Sequence, residues 1–230
     1  MRPDRPAVRP DRPLAPADLE SVGILGGTFN PPHLGHLALA CQAHEELGLE
    51  RVLLMPAHIP PHKSTVEDPG PVHRLRMCRL LVANTAGVQA CGLEIDRGGP
   101  SYTVDTLRAI HDSHPDAQLT FIVGADTAST LPAWREPGEL LTLADLAVAE
   151  REGPGGRVVL ETLVPLLAPL QPVDSGARAR IRPLHMPAVG ISSSMARERV
   201  ARGEPVDDLV GVAVAAYIAE HGLYRAGVGS

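Results

Sequence analysis

The sequence predicts an α/β fold: a doubly wound parallel sheet with helices on both faces and a small helical part at the C-terminus. Three observations carry that prediction. Short apolar runs alternate with amphipathic stretches from Ser21 onward, and this strand–helix–strand order is met by right-handed crossovers in a sheet covered on both faces. The runs have the length of buried strands. The chain has 230 residues, 44% of them hydrophobic, which is enough for one core-bearing domain and excludes disorder throughout.

In chain order, strands are expected at Val22–Gly27, Arg51–Ala57, Val88–Ile95, Leu119–Ala125, Ala144–Glu150 and Ile181–Met186. Helical patterns lie between them at His36–Leu47, Val72–Thr85, Ser101–His114 and about Val158–Leu167. Ser193–Arg202 and Asp207–His221 read as two closing helices, and Gly153–Gly156 as a loop within the domain. Residues 1–20 contain five prolines, four arginines and four acidic groups, with almost nothing to bury. They are expected to be a disordered N-terminal extension, and 21–230 a single domain. In a sheet of this type, ligands bind at the carboxyl ends of the strands.

Composition narrows the function. Apolar runs fall far short of the roughly 18–20 residues of a membrane span, so no membrane partner is expected. Three cysteines without a CxxC pair exclude a disulfide scaffold or zinc ribbon and fit a reducing, cytoplasmic setting. A net charge of −6 disfavours nucleic acid as a partner, while leaving room for a local anion site. Arg74, Arg76 and Arg79 on the second helix read as a solvated or subunit-contact face, with which a homo-oligomer is compatible.

The chemistry concentrates in Gly26–His36, GGTFNPPHLGH, directly after the first strand. Gly26 and Gly27 let backbone amides approach a ligand without a Cβ in the way. Asn30-Pro31-Pro32 forces an extended turn, and the amides of the next helix offer an anion site. His33 and His36, three apart, can face one point. A metal pair is the competing reading, but no third ligand stands at suitable spacing; a structural cap is another. GxGxxG and GxxxxGK[ST] are both absent from the turn, which disfavours ordinary dinucleotide oxidoreductases and P-loop proteins. A phosphate site accounts for the residues best.

GGTFNPPHLGH together with ISSSMAR (Ile191–Arg197) resembles the HxGH nucleotidyltransferase superfamily. PAHIPPHK (Pro56–Lys63), GPSYTVDTL (Gly99–Leu107), FIVGADTASTLPAW (Phe121–Trp134) and YIAEHGLYR (Tyr217–Arg225) make the finer resemblance one to bacterial nicotinate-nucleotide adenylyltransferases. It spans about Val22 to Arg225. It implies a Rossmann-like fold and the transfer of the adenylyl group of ATP to nicotinate mononucleotide, giving deamido-NAD and pyrophosphate. Magnesium would arrive with ATP, since no carboxylate cage is visible. Nicotinamide mononucleotide or another phosphorylated coenzyme precursor is the alternative acceptor, and a non-catalytic nucleotide-binding module the remote one.

The resemblance also implies site residues. His33 and His36 would meet the ATP phosphates, with His36 the transition-state donor. Gly26, Gly27, Thr28 and Phe29 would line the same site. Ile191, Ser192, Ser193 and Ser194 would open a helix toward the β- and γ-phosphates, and Arg197 would reach the pyrophosphate. The family pattern usually has Thr at Ser194 and an aliphatic residue at Ala196, mild departures that leave the anion-site reading intact. Any of these serines is also ordinary cap material. Lys63, the only lysine in the chain, would contact phosphate from a loop over the site. Gly124 and Asp126 would read the adenylate ribose, with a helix N-cap as a second use of Asp126. Trp134 would stack on the nicotinate ring, and amides near Thr103 and Arg135 would read its carboxylate.

Overall fold

The computed structural model describes residues 20–61, 67–151, 156–170, 180–186 and 189–225. The expected extension, apart from Glu20, lies outside the described residues, as do Lys63 and most of the Gly153–Gly156 loop.

Six strands form one sheet: β1 Ser21–Gly27, β2 Arg51–Pro56, β3 Val88–Ala90, β4 Gln118–Gly124, β5 Asp145–Arg151 and β6 Ile181–Met186. Their order is β3-β2-β1-β4-β5-β6, and every pair is parallel. This is the Rossmann order, whose switch point lies between β1 and β4. Gly27 stands opposite Pro56 of β2, and Leu25 opposite Ile122 of β4. The carboxyl ends of β1, β2 and β4 therefore open on one edge.

Alternation along the strands fills both faces. Val52 and Leu54 of β2 face a core shared with α1 (Leu34–Glu46), α2 (Pro71–Val82), α8 (Ser193–Ala201), α9 (Asp207–Val210) and α10 (Val212–Glu220). Leu53 and Met55 turn the other way, toward α4 (Thr103–Ser113), α6 (Pro137–Leu143) and α7 (Gly156–Leu167). Burying each such side chain is worth about 1.5–3 kcal/mol, more than helix propensity supplies per residue. Two short helices, α3 (Leu93–Arg97) and α5 (Ala125–Ala128), complete the set.

Two sequence expectations change. The expected strand Val88–Ile95 is a strand only to Ala90; the chain then enters α3. Asp207–His221 is two helices, because Gly211 adopts φ +81° between them and redirects the chain. The structure adds α6, which starts with Pro137 in its first turn after Glu136 at φ +49°.

Candidate active site

The segment after β1 makes a compact bend. Phe29 has φ +53°, the Asn30–Pro31 peptide is cis, and His33 in extended backbone starts α1. The His33 N–H donates to His36 Nδ1 at 3.2 Å, and the two rings stack with centroids 3.7 Å apart. Because Nδ1 accepts, a neutral His36 carries its proton on Nε2. Phe29 packs its ring edge against His36 at 4.8 Å. Phe29 is buried, so its side chain supports the bend from inside the core.

His33 is 9% exposed, its Nδ1 has no hydrogen-bond partner, and burial lowers its pKa from 6.5 to about 4. It is therefore a neutral imidazole at pH 7. Gly35 makes this packing feasible: a Cβ there would lie 3.0 Å from His33 Nδ1 and 3.1 Å from Cε1.

The C-terminal motif lands on the same bend. Ser192 caps α8, accepting from the Met195 N–H at 3.2 Å. Ser193 Oγ donates to the Pro31 carbonyl at 2.8 Å. Arg197 Nη1 donates to the Asn30 carbonyl at 2.7 Å, and its Nε lies 3.9 Å from Glu67. Part of the Arg197 fork is thus engaged in holding the bend. Ser194 is exposed beside Ser192, and Ile191 is half-buried against the core. Tyr224 completes the underside, its hydroxyl donating to Asn30 Oδ1 at 2.7 Å. Two helix N-termini, α1 and α8, therefore flank one surface beside Gly26, Gly27 and Thr28.

Arg74 overturns one expectation. Arg76 and Arg79 are exposed as expected, but Arg74 is fully buried. Its Nη1 donates to the carbonyls of Thr28 at 2.9 Å and Ala57 at 2.6 Å. Its Nη2 donates to the His58 carbonyl at 3.0 Å, and its Nε to Asp68 at 2.9 Å. A buried cation left without such partners would cost several kcal/mol.

Across the switch point, Gly124 and Asp126 sit at the end of β4. Asp126 is exposed in the first turn of α5, but Gly124 occupies the cap position, so the expected N-cap use of Asp126 is not found. Trp134 follows a 3-10 turn, Leu131–Ala133. Its indole N–H donates to Thr130 Oγ1 at 3.0 Å, and its ring meets Phe121 edge-on at 5.9 Å. It stays half-exposed, at the rim of the core rather than inside it. Arg135 lies over the Tyr102 ring at 4.8 Å and donates to Asp105 at 3.2 Å. Thr103 opens α4 directly behind Tyr102.

Sequence reasoning gave Asn30 only a part in the turn, with no bonding role, and missed Gly35, Arg74 and Tyr224 as parts of this site. Asn30 and Gly35 lie inside the GGTFNPPHLGH motif and Tyr224 inside YIAEHGLYR, so a signal existed for three of them. The helical pattern around Arg74 carried none.

A Rossmann-order sheet whose first carboxyl end bends through paired histidines between two helix N-termini defines a class, the nucleotide-handling α/β transferases. Residues 24–199 match the cytidylyltransferase-like family. The chain is 42% identical over 204 residues to the probable nicotinate-nucleotide adenylyltransferase of Roseiflexus sp. (strain RS-1), covering 89% of this chain and 98% of that one. It is 36% identical over 207 residues to the nicotinate-nucleotide adenylyltransferase of Bacillus subtilis (strain 168), covering 90% and 100%. The chain belongs to the nicotinate-nucleotide adenylyltransferase family. Its fold also matches the Plasmodium falciparum nicotinic acid mononucleotide adenylyltransferase complexed with NaAD, with a TM-score of 0.69 at 19% identity over 89% of this chain and 97% of that one.

Proposed function

We propose that the protein transfers the adenylyl group of ATP to nicotinate mononucleotide, releasing pyrophosphate and forming deamido-NAD. One observation carries this beyond family membership: Ser193 and Arg197 of α8 bond to the Pro31 and Asn30 carbonyls, bringing both phosphate motifs onto one surface.

The reaction suits these residues. A phosphate oxygen of the mononucleotide attacks the α-phosphorus of ATP; the new P–O bond forms as the bond to pyrophosphate breaks. That nucleophile is already ionised at neutral pH, so no general base is needed. The work is alignment and neutralising charge. His36, with its proton on Nε2, donates to the α-phosphate in the transition state. His33, neutral, adds a second contact and holds the His36 ring by stacking. Amides at the N-termini of α1 and α8, with Ser192 to Ser194, Thr28 and what remains of the Arg197 fork, meet the triphosphate. Lys63, between β2 and α2 in the sequence, contributes a phosphate contact. Gly124 and Asp126 read the adenylate ribose. The half-exposed Trp134 stacks on the nicotinate ring, and amides near Thr103 and Arg135 receive its carboxylate.

Among the described residues no three His, Cys, Asp or Glu side chains form a group that could hold a metal ion. Magnesium would enter as the ATP complex and would supply extra neutralising charge on the phosphates. Among the described residues no helix is long and apolar enough to cross a membrane.

The test offers magnesium-ATP with nicotinate mononucleotide or nicotinamide mononucleotide and follows both dinucleotide and pyrophosphate. The expected result is a higher kcat/KM for the acid; an equal or amide-favoured ratio overturns the acceptor, and no pyrophosphate with either overturns the reaction.

A further inference from the structure

We infer that Arg74 is a positioning residue that keeps the phosphate bend and the nicotinate-facing end of α4 in one register, so that the two substrates meet in line. This deepens the reaction proposed above and rests on it. Arg74 sits beneath the site, fully buried.

The connection can be followed bond by bond. One end of the guanidinium holds the Thr28 carbonyl, within the bend. The same group holds the Ala57 and His58 carbonyls just beyond β2. His58 then passes the constraint on. Its N–H donates to Ser101 Oγ at 2.8 Å, and its Nδ1 lies 3.0 Å from the Gly99 carbonyl. The Ser101 N–H donates to the Ile59 carbonyl at 2.9 Å, and Ile59 bridges to Pro100. Two residues later α4 begins at Thr103. Arg74 thus joins the triphosphate surface to the start of α4, alongside the direct bond from the Ala57 N–H to the Gly27 carbonyl at 2.9 Å.

An arginine suits this task where a lysine does not. The acceptors lie around a plane, and the fork reaches four of them at fixed angles. A lysine keeps the charge but offers donors at one point, so it can hold one side of the frame and release the other. Each half-site then keeps its own contacts while their mutual alignment loosens. In-line transfer is sensitive to such slippage, since a misplacement of about 1 Å costs on the order of 10²-fold in rate.

The experiment uses full-length Arg74→Lys. Folding is checked by circular dichroism and cooperative thermal unfolding. Dissociation constants are measured singly for a non-hydrolysable ATP analogue and for nicotinate mononucleotide, and kcat for the complete reaction. The expected result is kcat lower by about 10-fold or more, with each dissociation constant within about threefold of wild type. A merely structural arginine would instead lower the active fraction, which active-site titration detects, or weaken one substrate. Either outcome, or an unchanged kcat, overturns the inference. Should Arg74→Lys not fold, Ser101→Ala decides, because it opens the same frame at its far side and leaves Arg74 in place. It is expected to lower kcat about three- to tenfold with both dissociation constants preserved, and full turnover in it overturns the inference. A wild-type protein that makes no dinucleotide overturns the underlying reaction and this role with it. An active wild type beside a fully active Arg74→Lys overturns this role alone.

Discussion

His36 takes the backbone N–H of His33 on its Nδ1 at 3.2 Å, and that one bond decides which ring nitrogen of His36 can donate. With Nδ1 occupied as an acceptor, a neutral ring presents Nε2–H. Replacing His36 by Ala removes this donor and the stacking partner of His33. The expected loss in kcat is about 10²- to 10³-fold, the scale for deleting one donor to transition-state charge. Steady-state kinetics on the folded variant checks it; near-wild-type turnover would remove His36 from the chemistry.

His33 supplies a pH prediction. Burial holds its folded pKa at about 4, against 6.5 when unfolded. Between those values the unfolded chain binds the extra proton, so stability falls as pH drops from about 6.5 to 4 and this contribution levels off below. The full shift is worth about 3 kcal/mol at 1.36 kcal/mol per unit. Urea unfolding of wild type and His33→Asn across that range should show a smaller acid loss in the variant. Proton NMR of the His33 ring should place its titration below pH 5; a midpoint near 6.5 would contradict the burial argument.

The sheet was readable because strands such as β2 carry uninterrupted apolar runs, here Val52–Met55, and such runs identify buried strands when they are short. The same rule misread Val88–Ile95, where Gln89, Gly92 and Glu94 interrupt the apolar residues and so short a mixed segment does not separate a strand from a helical turn. Here the chain leaves the sheet at Cys91 and turns into α3 after Gly92. The bend was readable because its histidines and glycines are neighbours in sequence. Arg74 was not, for its burial depends on carbonyls at Thr28, Ala57 and His58 that only the folded β1 and β2 ends bring together. Tyr224 meets Asn30 across 194 positions, a relation with no periodicity to betray it.

Trp134 has one edge on Phe121 and its N–H on Thr130, so its orientation is set before any ligand arrives. Trp134→Ala should raise KM for the pyridine mononucleotide by about 10-fold or more, the scale of a stacking contact worth 0.5–1.5 kcal/mol plus the buried ring area. KM for ATP should change much less. The reverse pattern would move Trp134 to the adenylate side.

Tyr224 links the C-terminal tail to the underside of the bend, and its hydroxyl tests how much the bend depends on that support. Tyr224 is 8% exposed, and burial raises its phenol well above the usual tyrosine range, so it remains a donor through the whole neutral and mildly alkaline region. Tyr224→Phe keeps the ring's packing and removes only the O–H. Asn30 Oδ1 then loses its buried donor, at a cost of about 1–3 kcal/mol. For a chain of this size that corresponds to a fall in Tm of roughly 2–12 °C. Asn30 also presents its carbonyl to Arg197, so a displaced Asn30 side chain disturbs the bend from below. kcat should therefore drop further than the fraction unfolded at the assay temperature accounts for. Thermal unfolding and kinetics on the same preparation separate the two effects: an unchanged Tm would mean that Asn30 finds another donor, and a lowered Tm with full kcat would confine Tyr224 to the fold.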